Sequence, residues 1–577
     1  MYKQLPTDTI TYGPQVKECE ELHASKYRLP NESFEEGTTR NAASMADNEE
    51  HRQQLKSIFK EQRFMPAGRV QAAMASPRNV TAYNCFVSGF IEDSMDSIMD
   101  KAKEAAETMR RGGGIGYDFS RIRPSGDRIV SLDSSASGPV SFMRIFDAVC
   151  RTIVSAGHRR GAMMGVLRVD HPDIEEFIRA KRNENDLTNF NISVGVTDEF
   201  MNCVHGGKLF SLTFKGKVYK QIDAVMLWDE IMRSTWDWAE PGVLFLDHIN
   251  NDNPLHYCET IEATNPCGEQ PLPPYGACLL GSFNLVKYIQ PHFAAPDGYS
   301  FNFNLFKEDI PVVVRAMDNV IDRTHYPLKA QEKEAQAKRR MGLGITGLAN
   351  VLTLLEYKYG SKYSKRFTRQ VMRTLCLTAY EASSDIAVEK GSFPLYDKEK
   401  YLQNNFMKKF PEELKLKISK QGLRNSHLTS IAPTGTISFT ADNVSSGIEP
   451  VFAHELNRTV ITEVGPQTVK LKDYIYNYYD IKSETTEGLS IVDHLEIQNA
   501  VQPWVDSAVS KTINVGDDVC FDEFKIIYSE AWRTKLKGVT TFRLSGKRYG
   551  ILNKIEEKEE EGTACFFDPE TGQKECS

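Results

Sequence analysis

Apolar residues fall into a helical rhythm between Met95 and Met109. Met95, Ile98, Met99, Ala102, Ala106 and Met109 recur on one face, and Gly112 ends the run. A second helix is predicted from about Pro139 to Ile153, with Phe142, Phe146, Val149 and Ile153 on one face and Gly157 as terminator. Its companion stripe, Met143 and Cys150, suits a partner helix or simple core packing, and pattern alone favours core packing. Short apolar runs at Tyr83–Phe90, Leu209–Phe214, Gly242–Leu246, Leu428–Ile431 and Val539–Leu544 read as buried strands. Helical patterns such as Glu332–Arg340 and Tyr363–Ala387 lie between them. This alternation predicts α/β architecture with a largely parallel sheet or barrel. Residues 1–63 read as a polar, mostly helical preface, and residues 555–577 as a solvated tail that opens on the acidic run Glu556–Glu561.

Composition narrows the classes. The 577-residue chain carries a formal net charge of −8, so no global basic field marks a nucleic-acid polymer as partner. A small phosphorylated ligand stays open, because helix ends bind anions even on an acidic chain. Met1–Pro14 lacks a basic start followed by an apolar core, and no run reaches the ~18 apolar residues of a membrane helix. The eleven cysteines are scattered without a CxxC pair. That pattern suits a reducing compartment, and a cytoplasmic location is expected.

The most informative window is Asn265-Pro266-Cys267-Gly268-Glu269-Gln270-Pro271. Its prolines disfavour helix and Gly268 permits a sharp turn, so it reads as a rigid loop presenting a thiol. In an extended segment Asn265 and Glu269 would point the same way as Cys267: an amide, a thiol and a carboxylate able to hold a hydroxylated substrate, attack it and take its proton. A turn with an incidental buried cysteine is the plainer alternative. Cys278 follows, with His256 and Cys258 nearby, but the short spacing of a structural zinc knuckle is missing and no metal site is expected. Gly342-Leu343-Gly344-Ile345-Thr346-Gly347 is a formal GxGxxG, yet it follows a helical charged run and has no acidic residue at the required distance. Helix-packing glycines explain it better than dinucleotide binding. Pro433–Ser438 follows an apolar strand and offers hydroxyls and backbone N–H groups to an anion, or is an ordinary capped turn. Arg110–Gly116 and His158–Ala162 read as glycine-punctuated basic loops suited to nucleotide phosphates; singly, each passes for a helix C-terminus.

Taken in order, these windows resemble the large subunit of ribonucleotide reductases. The resemblance is carried by Asn84-Cys85, Glu92–Ile98, Gly112–Gly116, Ser137-Gly138-Pro139, Arg160-Gly161-Ala162, Asn265–Glu269, Cys278–Leu285, Pro433–Ser438 and Ser445–Pro450, and it covers approximately residues 64–550. It implies a ten-stranded α/β barrel of two five-stranded parallel halves, spanning residues 64–554, with a central finger loop that carries Cys267. It also implies roles. Cys267 is the thiyl radical that removes the substrate's 3′-hydrogen, Glu269 the base for the 3′-hydroxyl, and Asn265 a hydrogen-bonding partner of the substrate hydroxyls. Cys85 and Cys278 supply the reducing equivalents and end as a disulfide. Asn84, Thr434, Gly435, Thr436, Ser438 and Arg160 contact substrate. A radical on sulfur must be kept dry, and a central loop is expected to do that.

The same resemblance places a deoxynucleotide effector at Asp93, Arg128 and Arg159, with loop 158–164 carrying its identity to the substrate base. The helix from Pro139 would then form part of a homodimer interface. Cys565 and Cys576 are the candidates for the swinging cysteine pair that passes electrons from a thioredoxin-like reductant, although ten residues separate them where a close pair is usual. The oxygen-dependent large subunits carry adjacent tyrosines near the end of the barrel; here the window reads Lys537-Gly538-Val539-Thr540-Thr541-Phe542-Arg543. That, with Pro266-Cys267-Gly268, resembles the adenosylcobalamin-dependent branch. The alternatives are a large subunit needing a separate metal-radical partner and an inactive nucleotide-binding homologue.

Overall fold

A computed structural model describes residues 12–153, 162–183, 185–292, 295–462, 465–543, 552–554, 565–567 and 574–576. Its centre is a ring of strands. Five run parallel in the first half: β1 (Cys85–Val87), β2 (Gly114–Asp118), β3 (Met163–Arg168), β4 (Phe190–Val196) and β5 (Gly242–Phe245). The second half holds β6 (Ala277–Asn284), β7 (Met341–Thr346), the segment 428–431, β8 (Thr512–Val515) with the residues just before it, and β9 (Gly538–Arg543).

The two halves meet at two antiparallel seams, β1 against β6 and β5 against β9. Segment 428–431 joins β7 through a parallel bridge between Leu343 and Thr429, and Ile431 bridges Val509 in the same sense. Bonds from Leu343 N to Leu428 O (2.8 Å), Ile431 N to Ala508 O (3.1 Å) and Ser510 N to Ile431 O (2.8 Å) carry the ring across this stretch. The circuit is therefore continuous, with five strands in each half, as the resemblance implies. Buried Asp506 holds the stretch together by accepting from the Leu428 and Thr429 N–H groups and from the Tyr380 hydroxyl.

Parallel neighbours need crossovers, and helices supply them. Met95–Arg110 links β1 to β2, Gly138–Thr152 links β2 to β3, and Phe303–Arg323 with Lys329–Lys338 links β6 to β7. Ser94 caps the first of these, its hydroxyl accepting from Ser97 N, and Pro139 occupies the first turn of the second. The helices Phe34–Met45 and Glu49–Lys60 pack their apolar faces into the same core as the barrel, and Phe64–Pro66 pairs with β6 outside the ring. Lys17–Tyr27 joins that core through Tyr27, while its Cys19 and Leu22 pack in a separate cluster with Phe439, Leu456 and Leu471.

Three pattern-based expectations need correction. Leu209–Phe214 is a strand, but it pairs with Lys217–Asp223 in a hairpin outside the barrel, and Leu209 is exposed. The helix from Gly138 buries Met143, Phe146 and Cys150, whereas Phe142, Ile145 and Val149 are only half-buried. Met143 and Cys150 are core, as the pattern favours; the correction falls on Phe142 and Val149, because bulky residues on both sides make the two faces indistinguishable by periodicity. Gly342–Thr346 lies within a barrel strand and not beside a helix. A Cβ on Gly344 would lie 2.4 Å from Ser430 O and one on Gly342 would lie 2.6 Å from Gln270 Nε2, so these glycines admit a neighbouring backbone and the finger.

Candidate active site

Two short strands, Ala263–Thr264 and Pro271–Leu272, pair antiparallel and lift residues 265–270 into the barrel as a hairpin tip. Asn265 N donates to Gln270 O (3.1 Å), and Gly268 N donates to Asn265 O (3.1 Å), closing a tight turn with Pro266 and Cys267 at its corners. Gly268 has φ +79°, a value that glycine reaches without a steric penalty.

The finger is fastened on several sides. Asn191 of β4 donates to Pro266 O (2.9 Å), while Ser430 Oγ and Ala508 N both donate to Glu269 O (3.0 Å each). On β2 the backbone passes so close that a Cβ on Gly116 would lie 1.8 Å from Thr264 O, and one on Gly114 would touch the Pro266 ring at 3.1 Å. Gly114 and Gly116 therefore make room for the finger, while Gly112 and Gly113 approach Arg69 and Phe86. Of the two readings of Arg110–Gly116, the helix C-terminus holds at its start, where Arg110 ends the helix and Arg111 caps it and pairs with Glu107, while Gly114–Asp118 is a barrel strand and not a phosphate loop.

The turn changes the expected arrangement of side chains. Asn265 and Glu269 are buried, whereas Cys267 is exposed at the tip. The three side chains do not share one face, because the chain reverses between 265 and 268. Nor is the Cys267 thiol enclosed by the described residues; it stands at the open end of the finger.

Below the tip, Asn265 Nδ2 donates to Cys85 Sγ (3.1 Å), and Cys85 Sγ lies 3.7 Å from Glu269 Oε1 as a donor. Cys85 and Cys278 face each other as direct register partners across the β1–β6 seam, both buried and with no disulfide between them. Burial pushes the Cys85 thiol well above its ordinary range, and the nearby Glu269 and Cys267 push it further. Burial likewise raises Cys278, against an opposing pull from Arg340. Both sulfurs are accordingly held as thiols, poised to give up hydrogen. Asn84, next to Cys85, has a buried Oδ1 with no hydrogen-bond partner among the described residues. Such an acceptor is costly unless a ligand meets it.

This arrangement sets an order of reactivity. Iodoacetamide near neutral pH is expected to modify Cys267 at least ~10-fold faster than Cys85 or Cys278, because exposure and thiolate fraction control alkylation. Peptide mass spectrometry of a time course reads the order; early labelling of the buried pair would contradict the geometry.

Residues 83–542 match the family described as "Ribonucleotide reductase, barrel domain". The chain belongs to that family. It is 37% identical over 499 residues to the "Vitamin B12-dependent ribonucleoside-diphosphate reductase" of Mycobacterium tuberculosis (strain CDC 1551 / Oshkosh), covering 81% of this chain and 68% of the relative. The protein of the same name from Thermoplasma acidophilum is also 37% identical, over 514 residues, with 82% of this chain and 64% of the relative covered. A "Ribonucleoside-diphosphate reductase large subunit" of Variola virus is 26% identical over 477 residues, with 74% of this chain and 60% of the relative covered.

Thr434, Gly435, Thr436 and Ser438 lie where segment 428–431 leads into the short helix Gly435–Phe439. The Thr434 hydroxyl is shared with Thr346 Oγ1 (3.0 Å) and Gly447 N (2.7 Å), and Ser438 Oγ with Ser446 Oγ (2.9 Å), so these side chains brace the loop. Asp93 pairs with Arg123 (2.9 Å) and Lys215 (3.3 Å), and exposed Arg128 pairs with Asp133 (2.9 Å). Arg159 and Arg160 lie outside the described residues. Cys565–Phe567 and Lys574–Cys576 pair antiparallel, with Cys565 and Cys576 as register partners. This pairing sets the two positions opposite each other despite the ten residues between them.

Sequence reasoning missed the fastening of the finger by Asn191, Ser430 and Gly116. The spacing of Gly114 and Gly116 by two was a usable signal, since it marks one face of a strand. No helix among the described residues is long and apolar enough to cross a membrane.

Proposed function

We propose that the chain reduces ribonucleotides to deoxyribonucleotides by thiyl-radical chemistry, with adenosylcobalamin as the radical source. One observation carries this reading: a pair of buried thiols, Cys85 and Cys278, facing each other beneath a finger that carries a third cysteine at its tip and presses Asn265 and Glu269 onto Cys85. The overall change balances as ribonucleotide plus two thiols giving deoxyribonucleotide, water and a disulfide.

In this reading Cys267, as a thiyl radical, takes the 3′-hydrogen and later returns it. Glu269 takes the proton of the 3′-hydroxyl, and Asn265 with the unmet Asn84 acceptor orients the ribose hydroxyls. Cys85 and Cys278 deliver two electrons and protons, and the 2′-hydroxyl leaves as water. The substrate itself covers the finger tip and supplies the water exclusion that the exposed thiol needs. Its phosphates rest on backbone N–H groups at the turn held by Thr434 and Ser438, with Gly435, Thr436 and Arg160 as further contacts. The names of the relatives favour diphosphates as substrates.

Adenosylcobalamin, when bound, would supply the initiating radical to Cys267. The residues fit an initiator arriving from outside the ring, because the Cys267 thiol is exposed at the tip. The end of β9 carries Thr540, Thr541 and Phe542 in place of a tyrosine pair, and the hydroxyl of Tyr528 is tied to Thr541 (2.9 Å). These features favour the cobalamin reading over a large subunit served by a separate radical subunit.

Regulation and electron supply follow the same reading. A deoxynucleotide effector sits at Asp93, Arg128 and Arg159. The half-buried stripe of Phe142, Ile145 and Val149 with exposed Met95 and Met99 forms a homodimer contact. The Cys565–Cys576 pair relays electrons from a thioredoxin-like dithiol protein. An anaerobic assay of a ribonucleoside diphosphate with adenosylcobalamin, a small dithiol and deoxynucleotide effectors is expected to yield deoxynucleotide with no second subunit. Turnover that appears only with an added metal-radical subunit would replace this reading with the alternative.

A further inference from the structure

The two reducing thiols have unlike surroundings. Cys85 has the Asn265 amide and the Glu269 carboxylate at its sulfur, and it lies close to the exposed finger tip. Cys278 is 0% exposed, on the far side of the seam. The register that pairs Leu279 with Met341 brings Arg340, one residue earlier, alongside Cys278. Side chains alternate along a strand, so Arg340 shares the face of Gly342, and that face meets Gln270 of the finger.

Arg340 is 1% exposed, an enclosed guanidinium on the residue that precedes β7. It binds Glu259 and Glu334, and Lys338 pairs with both of those carboxylates. Its Nε has no hydrogen-bond partner among the described residues. Four charges are thus balanced in pairs, and one buried N–H is left over on a group beside a sulfur that must pass through an oxidised state.

We propose that Arg340 sets the direction in which the active-site disulfide is reduced: the incoming thiolate attacks Cys85, and Cys278 leaves as the thiolate next to the guanidinium. The proposal rests on Cys85 and Cys278 being the redox pair assigned above. In the first step a thiolate of the dithiol reductant forms an S–S bond to Cys85, the Cys85–Cys278 bond breaks, and its electron pair stays on Cys278. In the second, the other thiolate of the reductant attacks its own sulfur in that mixed disulfide and Cys85 is released. The reductant is oxidised to its disulfide, and two protons from solvent restore both thiols.

Exchange is faster when the leaving sulfur is the better-stabilised thiolate. Arg340 favours a thiolate on Cys278 against Asp506, Glu269 and Glu334, whereas Cys85, opposed by Glu269 and Cys267, has only the Asn265 amide and no cation among the described residues in its favour. Access points the same way, because Cys85 lies nearer the open tip. Arg340 is therefore a positioning residue for the regeneration half of the cycle, separate from the radical half.

The test uses the full-length unmutated chain, with the disulfide made by diamide in one sample and by a single turnover in another. A brief pulse of 2-mercaptoethanol is stopped with acid, remaining thiols are capped with N-ethylmaleimide, and peptides are read by mass spectrometry. The mercaptoethanol adduct is expected on Cys85 and the maleimide on Cys278, in about tenfold excess over the reverse. Equal labelling, or an adduct mainly on Cys278, overturns the proposal. Arg340→Gln should bring the ratio toward one and Arg340→Lys should preserve it; an unchanged ratio in Arg340→Gln removes Arg340 from the account. If the glutamine variant does not fold, the ratio in the unmutated chain decides the direction of attack, and Glu334→Gln, which frees the guanidinium of one carboxylate, is expected to raise the ratio; an unchanged or lowered ratio there removes Arg340 from the account. Absence of the disulfide after turnover, with a clear ratio in the diamide sample, would instead count against the functional reading.

Discussion

Replacing Cys267 with serine lowers deoxynucleotide formation by about 10⁴-fold or more, the scale of losing a group that forms bonds in the reaction, while deoxynucleotide binding is unchanged. A hydroxyl holds its hydrogen too strongly to replace a thiol as a radical carrier, whereas the turn itself has no use for sulfur. The corner is shaped by Gly268, by the Asn265–Gly268 bond and by the grip of Asn191 on Pro266, all of which serine leaves alone. Turnover and equilibrium dialysis with a labelled deoxynucleotide, on the same preparation, separate the two effects. Substantial residual turnover would remove Cys267 from the chemistry, and joint loss of binding would point to a folding defect.

Gly116→Ala produces the second large effect, by a different route. The added methyl would lie 1.8 Å from Thr264 O, a backbone atom at the root of the finger, and backbone cannot yield as a side-chain end does. Either β2 or the finger must move. Overpacking of this kind costs about 1–3 kcal/mol. A displacement near 1 Å at reacting groups costs roughly 100-fold in rate. The expected variant is folded, with a lowered urea midpoint, and about 100-fold slower at saturating substrate. Wild-type turnover in Gly116→Ala would mean that the finger is not held where this structure has it.

Much of the ring was legible in the sequence because its parts obey local rules. Leu428–Ile431 and Val539–Leu544 are short apolar runs between turn residues; the helix from Met95 was legible as an element, but Met95 and Met99 of its expected apolar face are exposed, and Ala105 and Thr108 are buried. The pairing order was not legible from such runs. It rests on contacts across long stretches of chain, such as Leu343 with Thr429, which no local window contains. Glycine misled twice for one physical reason. At Gly116 and Gly342 the missing side chain makes room for another backbone or side chain in the barrel, yet in sequence such glycines look like loops or helix contacts. The finger was half legible: prolines and Gly268 marked a rigid turn around a thiol, but the hairpin register that separates Cys267 from Asn265 and Glu269 comes from the pairing of Ala263 with Leu272. Arg340 gave no signal, because its meaning depends on the strand beside it.

Feeding the unmutated chain a ribonucleotide carrying deuterium at C3′, with adenosylcobalamin and a dithiol, asks directly whether one sulfur lifts that atom and gives it back. The expected product keeps most of its deuterium at C3′, and turnover is slowed relative to the protiated substrate. Product formed at an undiminished rate with the label lost entirely to water would contradict the account.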